Sequence, residues 1–186
     1  QDLDEANKLI RSFRPIETEL ENLKDRVEHA DELYKNLTPS PLVEEAGKKN
    51  DELQAAFTEF EGDVKNRSEA LRASRKAKKV IGDLDREIDY LNDQAPNANS
   101  TDYGRDLVSS HKQLKKHEGL VAALAAREHD VTGALNGASA HIKEGGADAE
   151  VVQSKHDELE KLYADVNKAA AERPRRTAGR GPARGQ

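Results

Sequence analysis

Cysteine, methionine and tryptophan are absent from this 186-residue chain, and the aromatic residues it has are four tyrosines and three phenylalanines. Without cysteine there are no disulfides and no thiolate zinc sites. With 35% hydrophobic and 4% aromatic residues the chain has too little apolar volume for a large globular core. No stretch approaches the ~18 apolar residues of a membrane span. The first residues also lack the basic-then-apolar order of a signal peptide. The expectation is therefore a cytoplasmic protein that does not cross a membrane. No glycine-rich loop follows a strand, so nothing supports phosphate binding.

What is abundant is helix-forming material. Half of the residues are Ala, Glu, Lys, Leu or Arg, the share that marks long helices and coiled coils. The pattern is clearest from Leu42 to Leu91, where Leu53, Phe57, Phe60, Val64, Leu71, Ala77, Ile81, Leu84, Ile88 and Leu91 step by three and four. Apolar residues with a mean spacing of 3.5 keep one seam of a helix against its neighbours. No proline lies between Pro41 and Pro96. The spacing predicts one unbroken helix of roughly 75 Å at ~1.5 Å per residue. A single compact core cannot cover that length, so the helix is expected to serve two cores, one at each end.

Before it, Leu3 to Leu37 repeats the same rhythm, with a bend expected near Arg11 to Pro15 because an internal proline removes a hydrogen bond and crowds the preceding turn. Thr38 to Pro41 reads as a turn, with Ser40 as N-cap and Pro41 as the first helical residue. After the long helix, Asn92 to Thr101 is rich in Asn, Asp, Ser and Pro and reads as a loop. A third helix is expected over Asp102 to Ile142, with Leu107, Leu114, His117, Val121, Leu124 and Val131 among its seam positions, ended by Gly145 and Gly146. A fourth runs from Asp148 to about Glu172, where Pro174 is expected to stop it. Residues 173–186 carry five arginines and no acid, which leaves a charge of −11 on the residues before them. That tail is too polar to fold and reads as disordered.

The pattern recurs at long range. A shift of 104 sets Lys8, Ile10, Ile16, Leu20, Val27 and Ala30 over Lys112, Leu114, Leu120, Leu124, Val131 and Ala134. A shift of 106 sets Lys49, Asp51, Glu52, Leu53, Phe57 and Phe60 over Lys155, Asp157, Glu158, Leu159, Tyr163 and Val166. Helix pairs repeating at that period imply an array of bundles that share a connecting helix.

Three motifs carry a family resemblance: Asp102-Tyr103-Gly104-Arg105-Asp106-Leu107, Lys115-Lys116-His117-Glu118-Gly119-Leu120 and Ala126-Arg127-Glu128-His129-Asp130-Val131. In order and spacing they resemble helix B of a spectrin repeat. Residues 156–172 are similar to its helix C, and Leu84-Asp85-Arg86-Glu87 lies where helix A of the family carries a tryptophan-centred motif. The resemblance implies an all-α fold of tandem three-helix left-handed coiled-coil bundles joined by a continuous helix. It divides the chain into a partial repeat of helices B and C (1–73), a complete repeat (74–172) and the basic tail (173–186). It further implies a structural rod in the actin-linked cytoskeleton, located in the cytoplasm and at the membrane-associated cortex, with cytoskeletal partners held by flanking domains of a longer chain.

The residues offer little chemistry. The six histidines, His29, His111, His117, His129, His141 and His156, show no i,i+4 pair, and no carboxylate pair completes a site on one helical face, so neither a metal nor a cofactor is expected. His117 stands out because its seam position should bury it. Asp106, Ser109, Ser110 and His111 hold the residue types of a nucleophile and base, but a uniform helix supplies no oxyanion hole, and an enzyme is not expected. Arg72, Arg75, Lys76, Lys78 and Lys79 form a basic run that reads as a solvated face or, in functional form, as a docking patch for anionic lipid headgroups or an acidic partner. The missing helix A of the first repeat leaves room for a helix-donating protein. No folded nucleic-acid module is present, so sequence-specific nucleic-acid binding is excluded.

Overall fold

A computed structural model describes residues 2–173 in full and the backbone of 174–178. The elements are four helices: α1 (Asp2–Lys35), α2 (Val43–Ala98), α3 (Leu107–Lys143) and α4 (Ala149–Ala178). No strand occurs among the described residues, so the fold is all-α as the 3.5-residue rhythm requires. The chain divides into two compact units, with the boundary between Lys76 and Ala77.

The first unit pairs α1 with the N-terminal half of α2. The pair is antiparallel: Asp31 accepts a hydrogen bond from Asn50 at 2.9 Å, Glu17 accepts from Arg72 at 3.1 Å, and Asn7 accepts from Arg75 at 2.7 Å. Ala6, Val27, Val64 and Leu71 are buried here. Gly47 permits the close approach at one end, since a Cβ at that position would lie 2.7 Å from the Tyr34 hydroxyl. Pro15 lies inside an uninterrupted α1. Many seam residues remain open: Phe60 and Leu53 are each 40% exposed and Ile16 is 41% exposed.

The second unit packs the C-terminal half of α2 with α3 and α4 around one continuous core. α2 supplies Leu84, Ile88, Leu91 and Ala98, α3 supplies Leu120, Leu124, Val131 and Ala138, and α4 supplies Val152, Leu159, Val166 and Ala170. Cross-helix partners set the directions. Asp85 meets Lys155 and Asn97 meets Arg173, so α2 and α4 run parallel, and the short connections 99–106 and 144–148 return α3 against both, where Arg127 meets Glu87 and Ser139 meets His156. Each fully buried Leu or Val contributes about 1.5–3 kcal/mol, which concentrates the apolar stabilisation in this unit. Leu84, where the family motif carries tryptophan, is fully buried.

Several boundaries differ from the sequence reading. Pro41 is not helical; it and Leu42 form a turn in which Val43 N donates to Ser40 O at 3.0 Å, and α2 starts at Val43. The expected loop from Asn92 is helix as far as Ala98, with Pro96 inside it. A proline removes only one backbone donor, and the turn holding it buries Ala98, which is 2% exposed. Helix α3 starts at Leu107 rather than Asp102, after an Asp106 N-cap. Pro174 likewise does not stop α4, which reaches Ala178. Arg173, assigned by sequence to a disordered tail, is buried; residues 179–186 of that tail lie outside the described residues. Leu114 and Val121, expected on the seam, are 51% and 45% exposed, because α3 turns the face holding His117, Leu120 and Leu124 inward.

The end of α3 matches expectation closely. Gly145 takes φ 65°, Gly146 N donates to His141 O, and Gly145 N donates to Ile142 O. This is the double-bonded glycine termination that satisfies the last carbonyls of a helix.

Candidate functional site

The polar centre of the second unit is a charged cluster between α2 and α3. Glu87 is 2% exposed. Arg127 binds it with a two-pronged grip, Nε donating to Oε2 at 2.8 Å and Nη2 donating to Oε1 at 3.0 Å. The same guanidinium lies 4.7 Å from the Tyr90 ring centroid and 3.5 Å from an Asp130 carboxylate oxygen. Glu87's hydrogen bonds raise the Arg127 pKa further above its ordinary value. Planar, paired donors suit arginine for such a partly dry contact. A buried carboxylate held this way fixes how two helices meet. Sequence periodicity missed Glu87 as a core residue, because a carboxylate at that position reads as solvated. The opposite charge at Arg127 on the facing helix was the available signal.

The two buried histidines are structural. His117 is 7% and His141 2% exposed. His141 Nε2 lies 2.8 Å from the Ala147 carbonyl oxygen, which can only accept, so Nε2 carries the proton of that contact. The residue was not singled out in sequence, although it sits one turn before the terminating glycines.

Residue types that suggested a nucleophile serve as a helix cap. Asp106 Oδ1 accepts from Ser109 N at 2.7 Å, and Ser109 Oγ accepts from Asp106 N at 3.1 Å. This reciprocal pair is a capping box. The backbone hydrogen bond from Ser109, then its side-chain hydrogen bond, lowers the Asp106 pKa below the usual carboxylate range.

One grouping with metal-ligand chemistry does occur, contrary to the sequence reading. The ligand atoms of His156, Asp157 and Glu160 on α4 all lie within 4.8 Å of one another. Asp157 and Glu160 are exposed. His156 Nε2 contacts Ser139 Oγ, its Nδ1 contacts Asp157, and Asp157 also accepts from Gln153. His156 and Asp157 are thus engaged with each other and with Ser139 and Gln153 in a surface network.

The basic run divides between the two units. In the first, Arg72 is paired with Glu17 and Arg75 with Asn7, so both guanidinium groups are already engaged with α1. Lys76 is exposed and also engaged in a contact. In the second, Lys78 is half-buried and Lys79 exposed.

No helix among the described residues is long and apolar enough to cross a membrane. Over 175 residues the chain is 24% identical to a spectrin beta chain of Drosophila melanogaster, a match covering 92% of this chain and 8% of that protein. Over 157 residues it is 25% identical to spectrin alpha chain, erythrocytic 1, of Mus musculus, covering 83% of this chain and 6% of that one. The chain thus spans less than a tenth of the length of these relatives. The spectrin repeat family model matches residues 78–176, the stretch that builds the three-helix core and its Glu87–Arg127 pair. With the core and the cross-helix partners of the second unit falling inside that match, which covers more than half of the chain, the chain belongs to the spectrin repeat family, a family of structural repeats.

Proposed function

We propose that this chain is a section of a spectrin-type rod that spaces and tethers binding domains in the actin-linked cytoskeleton beneath the cell membrane. In this reading α1 and the first half of α2 are helices B and C of one repeat, and the second half of α2, α3 and α4 are helices A, B and C of the next. The supporting observation is that α2 is one helix from Val43 to Ala98 and places buried residues in each unit, Val64 and Leu71 in the first and Leu84 and Leu91 in the second. Tension then passes along a hydrogen-bonded helix while the seams resist unfolding. Pulling on single chains held at both ends tests the idea. The second unit should unfold in one cooperative step; gradual lengthening without such a step contradicts a load-bearing role.

A second reading rests on the open seam of the first unit, where Leu53 and Phe60 remain 40% exposed. An amphipathic helix from another protein could occupy it, as helices fill apolar grooves. Light scattering across a concentration series separates the two: a chain that stays monomeric at every concentration fits the spacer, and stable stoichiometric complexes fit helix capture. Docking of anionic lipid through Arg72, Arg75, Lys76, Lys78 and Lys79 is the weaker form of this reading, because Arg72 and Arg75 are already engaged within the first unit.

A further inference from the structure

One end of the second unit holds a buried cation that the apolar core does not need. Arg173 on α4 is 8% exposed, and arginine is rarely buried unless it is paired. Its guanidinium reaches away from its own helix. Nη1 donates to Asn97 O at 3.2 Å and Nη2 donates to Asp102 O at 2.8 Å. The guanidinium carbon lies 5.9 Å from the Tyr103 ring centroid. Asn97 belongs to the last turn of α2, at the negative end of the helix dipole, and its carbonyl oxygen accepts from Ser100 N at 3.4 Å as well as from Arg173. Asp102 belongs to the connection 99–106 between α2 and α3.

That connection is built from specific contacts. Asp102 Oδ1 accepts from Gly104 N at 3.0 Å, and the other oxygen of the carboxylate accepts from Gln113 on α3. Ser109 Oγ accepts from Arg105 N at 2.9 Å as well as from Asp106 N. Gly104 holds φ 79°, and a Cβ there would lie 2.4 Å from Ser110 N. On the other side of Arg173, α4 continues through Pro174 to Ala178. Pro174 lacks the N–H that would bond to Ala170 O, so α4 has one backbone hydrogen bond fewer where it passes Arg173.

We propose that Arg173 is a latch coupling the α2–α3 connection to the end of α4. Docked, it holds the connection in its turn and keeps α4 helical across Pro174. Released, both loosen together, which uncovers Tyr103 and leaves the Asp102 carbonyl without the guanidinium. Tension or a partner acting on the end of α4 is thereby felt at the connection, and by linkage anything that orders the connection strengthens the helix beyond Arg173. The role is conformational, and it holds for the second unit whether or not the chain is part of a rod.

Amide hydrogen exchange on the full chain tests the latch, read at Gly104 to Ser109, over residues 168–178, and in the core at Leu124 and Leu159. Arg173→Ala is expected to speed exchange at both ends by about tenfold or more, the effect of losing charge-assisted hydrogen bonds, while Leu124 and Leu159 stay slower than either end. Arg173→Lys, which keeps the charge but not the two-armed geometry, should give an intermediate result. In the reciprocal direction, Tyr103→Ala and Gly104→Ala should speed exchange over residues 168–178. Arg105→Ala, at an exposed position in the same connection, should leave α4 unchanged. A change confined to the mutated end, in either direction, overturns the proposal and reduces Arg173 to a simple cap. Equal exchange rates at Leu124, Leu159 and both ends in the wild type overturn it as well, since the ends would then open only with global unfolding.

Discussion

Equivalent residues in the two units have different fates. Leu53 and Leu159 stand at matching points of the long-range repeat, yet Leu53 is 40% exposed and Leu159 is fully buried. Phe60 is 40% exposed where Val166 is 2%, and Ile16 is 41% exposed where Leu120 is 7%. Val27 and Val131, by contrast, are buried alike. The two units share one helix-pair pattern, and what separates them is a third helix: α2 contributes Leu84, Ile88 and Leu91 to the second unit, and among the described residues the first has α1 and one half of α2. Two amphipathic helices bury the line between them but leave a flank of each seam open. A third closes the core.

Substitutions sharpen that contrast, beginning with the largest expected effect. Leu159→Ala should destabilise the second unit by about 2–5 kcal/mol, as truncation of a fully buried leucine does. Its counterpart Leu53→Ala should cost about 1 kcal/mol or less, because much of that side chain is already in water. Urea denaturation followed by circular dichroism measures both, and equal losses would break the comparison. Next comes Glu87→Ala. Breaking a buried pair costs about 3–5 kcal/mol, and because the Arg127 side chain keeps 28% of its surface exposed the expectation is nearer 2–3 kcal/mol. Replacing Glu87 and Arg127 together by leucine should recover most of the loss, since the cost lies in the stranded partner.

Glycines give a smaller, two-signed test in the same denaturation assay. Gly104→Ala should cost about 1–3 kcal/mol from backbone strain and collision with Ser110. Gly62→Ala in the first unit sits in open space within α2 and should stabilise by roughly 0.5–1 kcal/mol through helix propensity. The smallest effect concerns pH. Asp106 has a lowered pKa in the folded protein because the Ser109 backbone and side chain hydrogen-bond its charged form. Its contribution is therefore complete above the ordinary carboxylate value of about 4 and is lost as pH falls through the lower folded value. Asp106→Asn keeps a capping side chain without the charge. A stability profile against pH should lose that acid-side slope in the mutant and keep it in the wild type.

The helical class and the long α2 were legible because burial along a helix repeats every 3.5 residues whatever the residues do otherwise. Gly145 and Gly146 were legible for a related reason, as a left-handed turn selects glycine locally. Prolines misled at three helix ends. Pro96 and Pro174 each remove a single donor, and tertiary contacts through Ala98 and Arg173 decide the outcome at those sites. Pro41 falls two residues before the helix begins, because the neighbouring backbone closes from Val43 to Ser40. Leu114 was misjudged because seam positions alternate between full and partial burial, and spacing alone does not separate the two. The polar residues that matter most, Glu87, Arg127, His141 and Arg173, depend on partners 40 or more residues away in sequence or on a turn of backbone carbonyls. No periodicity reports such pairings.

Helix α2 itself supplies the most direct test of the claim that completion by a third helix sets the stability of each unit. Residue-resolved hydrogen exchange along α2 compares one continuous helix in two surroundings. Protection should be low around Leu53 and Phe60 and rise to its maximum between Leu84 and Leu91. Uniform protection along α2, or stronger protection in its first half, would contradict the account.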